Sequence, residues 1–188
     1  MTELLFVNAC MRGEESNTLA LCREYLATRS DAHITEVPLA VLGLTPFNNE
    51  RVEYRVAQLE AGNADDAIFD LAKQFADADE VVIGAPYWDL SFPAALKVYI
   101  EYVTVCGVTF RYGQMGNIEG MCKAQSLTYI TTSGGPIGDR NFGYDYVCGM
   151  ARMFGIEKTR FVSAEGLDII GADVEAEMNK ARTQLGLL

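Results

Sequence analysis

The chain has 188 residues, 49% of them apolar, which suits one domain with a sizeable core and excludes a disordered chain. Its 26 acidic and 15 basic residues leave a net charge of −11, a field that argues against binding to nucleic acid or an anionic membrane. No apolar run approaches the ~18 residues of a membrane-spanning helix, and "MTELLFVNAC" lacks the basic start of a signal peptide, so a cytoplasmic protein is expected.

"LLFVNA" (4–9) is a continuous apolar run of the kind buried in parallel sheets. "SNTLALCREYLATR" (16–29) follows with helical spacing, and Ser16 is its candidate N-cap. "HITEVPL" (33–39) reads as a second strand. The polar stretch 45–66 reads as a helical excursion and "DDAIFDLAKQFADA" (65–78) as an amphipathic helix. "EVVIGA" (80–85) is the third strand, and Pro93 opens the helix 93–105. The glycine-punctuated segment 108–121 reads as irregular. A fourth strand, 124–135, runs into a double-glycine turn; a helix over 142–155 stops at Gly155. A fifth strand (158–167) and an amphipathic helix (172–186) complete the pattern. Alternation of this kind predicts a single α/β domain over 1–188, a flavodoxin-like three-layer sandwich with a five-stranded parallel sheet in the order 2-1-3-4-5.

Several chemistries are disfavoured. Neither GxGxxG after a strand nor GxxxxGK[ST] is present. The five cysteines form no CxxC and are odd in number, against a zinc site or a disulfide framework. Each is expected to be a small buried hydrophobe in a reducing compartment. His33, the only histidine, lies in a strand pattern without a GxSxG partner motif.

Open parallel sheets bind ligands beyond the carboxyl ends of their strands, where the strand order reverses. The loops that meet there are "NACMRGEESNT", "PYWDLSFP" and "TTSGGPIGDRN". The first ends at a helix N-terminus with Ser16, Asn17 and Thr18, whose hydroxyls and free amides suit a phosphate without lysine. The second carries Tyr87 and Trp88, the chain's one tryptophan, in a loop where a flat ligand could lie. The third carries Ser133, Gly134 and Gly135, where glycine lets backbone amides come close to a ring edge.

On "PYWDLSFPAALKVYIEYVTVCGVTFRY", "TTSGGPIG" and "FGIEKTRFVSAEGL", the chain resembles the flavodoxin-like FMN-dependent NAD(P)H oxidoreductases, the group of bacterial azoreductases and quinone reductases. The resemblance spans nearly the whole chain. It implies that Pro86, Tyr87, Trp88, Asp89 and Leu90 lie against a flavin ring. It places Ser133, Gly134 and Gly135 near the ring's pyrimidine end, and Ser16 at the phosphate. Three positions depart from the family pattern. Ala9 or Cys10 stands where a serine is common, Glu14 where a second hydroxyl is common, and Asp89 where asparagine is common. The resemblance further implies FMN as cofactor, NAD(P)H as co-substrate, a quinone or azo compound as the small-molecule acceptor, and a homodimer with active sites at the subunit interface. Phe110, Tyr112 and Tyr144 are the candidates for lining the acceptor pocket. No catalytic side chain or metal is assigned. The alternative function is that of a flavodoxin-type electron carrier, which the acidic charge would also suit.

Overall fold

A computed structural model describes all 188 residues. Five parallel strands form the central sheet: β1 (Thr2–Asn8), β2 (Ala32–Pro38), β3 (Glu80–Gly84), β6 (Ser126–Thr132) and β7 (Lys158–Ala164). Their spatial order is β2-β1-β3-β6-β7, which is the expected 2-1-3-4-5 once the five are numbered among themselves. Between β3 and β6 the chain makes a separate antiparallel ribbon, β4 (Phe110–Tyr112) and β5 (Ile118–Gly120).

The apolar runs are continuous because both faces of the sheet are covered. Leu5 and Val7 of β1 and Val81 and Ile83 of β3 enter one core with α3 (Asp70–Asp77), α4 (Ala94–Val103) and α5 (Phe142–Met153). Leu4 and Phe6 of β1 and Val82 of β3 enter the opposite core with α1 (Asn17–Ala27) and α6 (Val174–Leu185). One face of each strand thus serves each layer, as a period of two requires.

Two expected elements differ from the structure. The helix expected over 65–78 is split. Asp66 accepts the N–H of Ile68 at 2.9 Å and closes a 3₁₀ turn over Ala67–Phe69 before α3 begins. The segment 108–121, expected to be irregular, holds the β4–β5 ribbon, clipped by an Arg111–Glu119 ion pair at 2.7 Å. The excursion at 45–66 does contain a helix, α2 (Asn49–Glu60), and none of its residues is buried.

The connections place the site. From β1 the chain crosses outward to β2, then returns to lay β3 on the other side of β1. The loops after β1 and β3 therefore diverge, and a crevice opens between them at the carboxyl edge.

Candidate functional site

A cleft of about 160 Å³ occupies that crevice, lined by Arg12, Ser16, Asn17, Pro86, Tyr87, Trp88, Thr132, Ser133, Gly134, Leu167 and Asp168. All three loops expected to converge contribute to it. The loop after β7 also contributes, through Leu167 and Asp168.

At one end sits the start of α1. Ser16 is its N-cap, and its Oγ accepts the N–H of Leu19 at 3.3 Å. The amides of Asn17 and Thr18 meet no acceptor within the protein. A helix start with spare N–H groups favours an anion. Arg12 adds a cation, tied only loosely to Glu15 at 3.5 Å. Glu14 does not line the cleft; its carboxylate pairs with Arg23 at 2.7 Å. Ala9 and Cys10 lie in the core, where the Cys10 thiol donates to the Gly84 carbonyl at 3.6 Å.

Thr18 does not face the cleft. Its side chain is fully buried and its hydroxyl pairs with that of Thr132 at 2.7 Å. It lies one helical turn before Leu21 and Cys22, on the inward face. At 0% exposure neither its hydroxyl nor its amide opens on the cleft.

The aromatic loop is braced from below. Ala85 and Tyr87 donate to the carbonyls of Ile130 and Thr132 at 3.0 and 2.9 Å, continuing the β3–β6 ladder past β3. The Tyr87 hydroxyl donates to the Arg140 carbonyl at 2.9 Å. Trp88 and Ser91 exchange both backbone hydrogen bonds across a two-residue turn. Asp89 and Leu90 form its tip with φ of 52° and 64°, the left-handed pair of a type I′ turn. A leucine held there costs about 1 kcal/mol. Both side chains of the tip are exposed and neither lines the cleft, whereas the half-exposed Trp88 indole does.

The glycine turn is laced to the end of β7. Leu167 donates to the Ser133 carbonyl and Asp168 to the Gly134 carbonyl, both at 3.0 Å. A Cβ on Gly134 would lie 2.1 Å from the Asp168 carboxylate, so any larger residue there would have to push that side chain aside. Gly135 does not line the cleft, but its carbonyl accepts the Ser133 hydroxyl at 2.6 Å. The N–H groups of Gly134 and Gly135 have no acceptor in the protein.

The three acceptor-pocket candidates are not brought together. Phe110 is buried at the root of the ribbon, and Tyr112, 64% exposed, stacks edge-on against it at 5.7 Å. Tyr144 packs on Phe161 at 4.9 Å and donates to the Thr159 hydroxyl at 3.2 Å; burial pushes its phenol up. None of the three lines the cleft.

The cysteines are not all alike. Cys10 and Cys22 are buried, Cys122 and Cys148 partly so, and Cys106 is exposed, against the expectation for all five. Burial raises the Cys10 thiol to about 11 and Cys122 to about 12, so both stay protonated and unreactive at neutral pH. Ellman's reagent on native protein is expected to label Cys106 first and leave Cys10 and Cys22 unlabelled until denaturant is added. Fast labelling of two or more thiols would contradict this burial.

A parallel, doubly wound sheet with an aromatic and amide-lined cleft at its switch point defines a flavodoxin-like α/β protein. The chain belongs to the family of flavodoxin-like fold, whose model matches residues 2–187. It is 33% identical to the FMN-dependent NADH:quinone oxidoreductase of Coprothermobacter proteolyticus, across 96% of this chain and 94% of that one. Its fold is like that of an azoreductase from Bacillus anthracis, with a TM-score of 0.86 at 24% identity, covering 100% of this chain and 98% of the other. It is also like that of an FMN-dependent NADH-azoreductase from the same species in complex with FMN, with a TM-score of 0.85 at 19% identity, over 98% and 96% of the two chains.

Proposed function

We propose that this chain is an FMN-dependent NAD(P)H oxidoreductase that reduces a quinone, azo or similar small acceptor. The cleft carries this reading: spare amides stand at both of its ends, with an exposed indole between them. The donor set fits FMN. The Asn17 amide, the Ser16 hydroxyl and Arg12 would hold the phosphate. The Gly134 and Gly135 amides would meet the carbonyl edge of the ring, and Trp88 its face. When bound, FMN supplies the hydride and electron chemistry. The chain's residues bind it, orient it and set the charge around it. Tyr87 and the Trp88–Ser91 turn act through rigidity, because the loop backbone is fixed before any ligand arrives.

Flavin content and turnover test the proposal. Purified protein is expected to bind added FMN, and then to oxidise NADH or NADPH with a quinone and no partner reductase. An electron carrier would show negligible turnover under those conditions. Protein that ignores FMN would overturn the proposal outright. Ser16→Ala is expected to weaken FMN binding by about 1 kcal/mol, the scale of one lost hydrogen bond or cap. Unchanged affinity in an FMN titration would remove the Ser16 hydroxyl from the site.

A homodimer is part of the same proposal. The cleft, at about 160 Å³, is smaller than the roughly 300–1,000 Å³ of pockets that enclose a ligand on their own. Val52, Val56 and Leu59 stand exposed at i, i+4 and i+7 along α2, a stripe that a second copy would cover. Val56→Glu is expected to shift a dimer toward monomer in sedimentation velocity. A wild-type monomer at micromolar concentration would refute the dimer. A reducing cytoplasm suits the five unpaired cysteines. No helix is long and apolar enough to cross a membrane.

A further inference from the structure

Glu165 follows β7 and lies outside the lining of the cleft. Its carboxylate nevertheless spans the two segments that build the cleft's glycine end. Oε2 accepts the N–H of Ile137 at 2.9 Å, and Oε1 accepts the Ser163 hydroxyl at 2.8 Å. Ser163 therefore fixes the carboxylate on its own strand, while the other oxygen reaches across to the loop after β6.

The backbone explains why that reach matters. Ser133 donates to the Ala164 carbonyl at 3.0 Å, and the carbonyls of Ser133, Gly134 and Gly135 accept from Leu167, Asp168 and Gly166 at 3.0, 3.0 and 3.4 Å. The lacing weakens toward Gly135, and the next residue, Pro136, has no N–H to continue it. Those carbonyl bonds set the peptide planes that carry the Gly134 and Gly135 amides, and two glycines bring no side chain to hold the turn in place if the lacing opens. Beyond them the loop is anchored at Ile137. The side chain of Ile137 is 2% exposed, and its amide is the one that Glu165 accepts. The carbonyls of the turn are used against β7. Its amides at Gly134 and Gly135 are the groups left for a ligand.

We infer that Glu165 is a positioning residue for the cofactor: its carboxylate anchors the far side of the loop after β6 to the end of β7 and so keeps the turn laced, with the Gly134 and Gly135 amides held toward the ring's carbonyl edge. This rests on the flavin reading above. The bond is charge-assisted and its donor belongs to a buried residue, so truncation leaves the Ile137 amide without a partner. Glutamine retains an acceptor for that amide and a donor for the Ser163 oxygen, so the tie survives without the charge.

The test compares wild type, Glu165→Ala and Glu165→Gln by FMN titration and by amide exchange at Gly134, Gly135 and Ile137. Glu165→Ala is expected to weaken FMN binding about tenfold, the scale of a lost buried hydrogen bond. Its amides from Gly134 to Ile137 should exchange faster, with the rest of the sheet protected as before. Glu165→Gln should bind FMN within about threefold of wild type, well short of one buried bond, and keep the Ile137 amide protected. Unchanged affinity and unchanged exchange in Glu165→Ala would overturn the inference. So would a Glu165→Gln protein that binds as poorly as Glu165→Ala while Ile137 stays protected, because charge rather than the tie would then matter. If wild type binds no FMN, the functional reading fails by itself. The tie is then judged by exchange alone, and unchanged Ile137 protection in Glu165→Ala would refute it.

Discussion

Gly120→Ala is expected to destabilise the protein by about 3 kcal/mol or more, at the upper end of overpacking substitutions. Gly120 ends β5 against the turn that closes α5. A Cβ there would stand 2.0 Å from the Gly155 nitrogen, 2.2 Å from the Phe154 carbonyl carbon and 2.4 Å from the Gly155 Cα. All three are backbone atoms, so no rotamer change relieves the clash. The ribbon would have to retreat from α5. That movement breaks the bond from Cys122 N–H to the Phe154 carbonyl, now 3.1 Å, and loosens Phe154, which is buried in the main core. For a domain of this size the loss corresponds to a melting temperature roughly 10 °C lower. Gly116→Ala, in the same ribbon, is the control. Nothing lies within 4 Å of its Cβ position, and its φ of +78° carries only the local cost of a left-handed residue. A melting temperature for Gly120→Ala no lower than that of Gly116→Ala would show that the ribbon slides off α5 freely.

The contrast between this ribbon and the main sheet shows what the sequence can report. "LLFVNA" and "EVVIGA" announce strands because helices cover both of their faces, and apart from Asn8 and Glu80 at their ends the runs carry no polar side chain. β4 and β5 have three residues each, too few for a period to register, and the glycines between them read only as breaks. Their partner is the end of α5, a contact made by two glycines that carry no hydrophobic signal.

The site was legible at the level of loops and less so at single residues. Ser16, Asn17, Pro86, Tyr87, Trp88, Ser133 and Gly134 do line one cleft. Thr18 is read from its type and place as a phosphate ligand, but the helical period places it three residues before Leu21 and turns it inward. Asp89 and Leu90 belong to a left-handed turn that lacks the usual Asn-Gly or Asp-Gly marker, so the chain direction there is not written in residue type. Leu167 and Asp168 come from the loop after β7, beside the glycine turn and away from the point where the strand order reverses. Arg12 and Thr132 carried no motif of their own.

Trp88→Ala is expected to cost flavin affinity far more than fold stability. The indole is 40% exposed and packs at the edge of the cleft, so its truncation removes little from either core. The turn that carries it is closed by backbone bonds between Trp88 and Ser91, which alanine keeps. Ser91 is itself seated on α5, where a Cβ on Gly143 would approach its backbone to 3.1 Å. Stability should therefore fall by about 1 kcal/mol or less, within the range of an exposed position. A ring stacked on the indole, by contrast, loses its apolar contact and its π partner together. Stacking of a planar heterocycle on an aromatic side chain contributes about 1–3 kcal/mol, so FMN affinity should fall by roughly ten- to a hundredfold. Trp88→Phe keeps a smaller face and should recover part of that loss. Affinities come from the quenching of flavin fluorescence, and stability from urea unfolding of the apo proteins. If Trp88→Ala loses several kcal/mol of stability while its folded fraction binds FMN as tightly as wild type, Trp88 supports the fold and the flavin lies elsewhere.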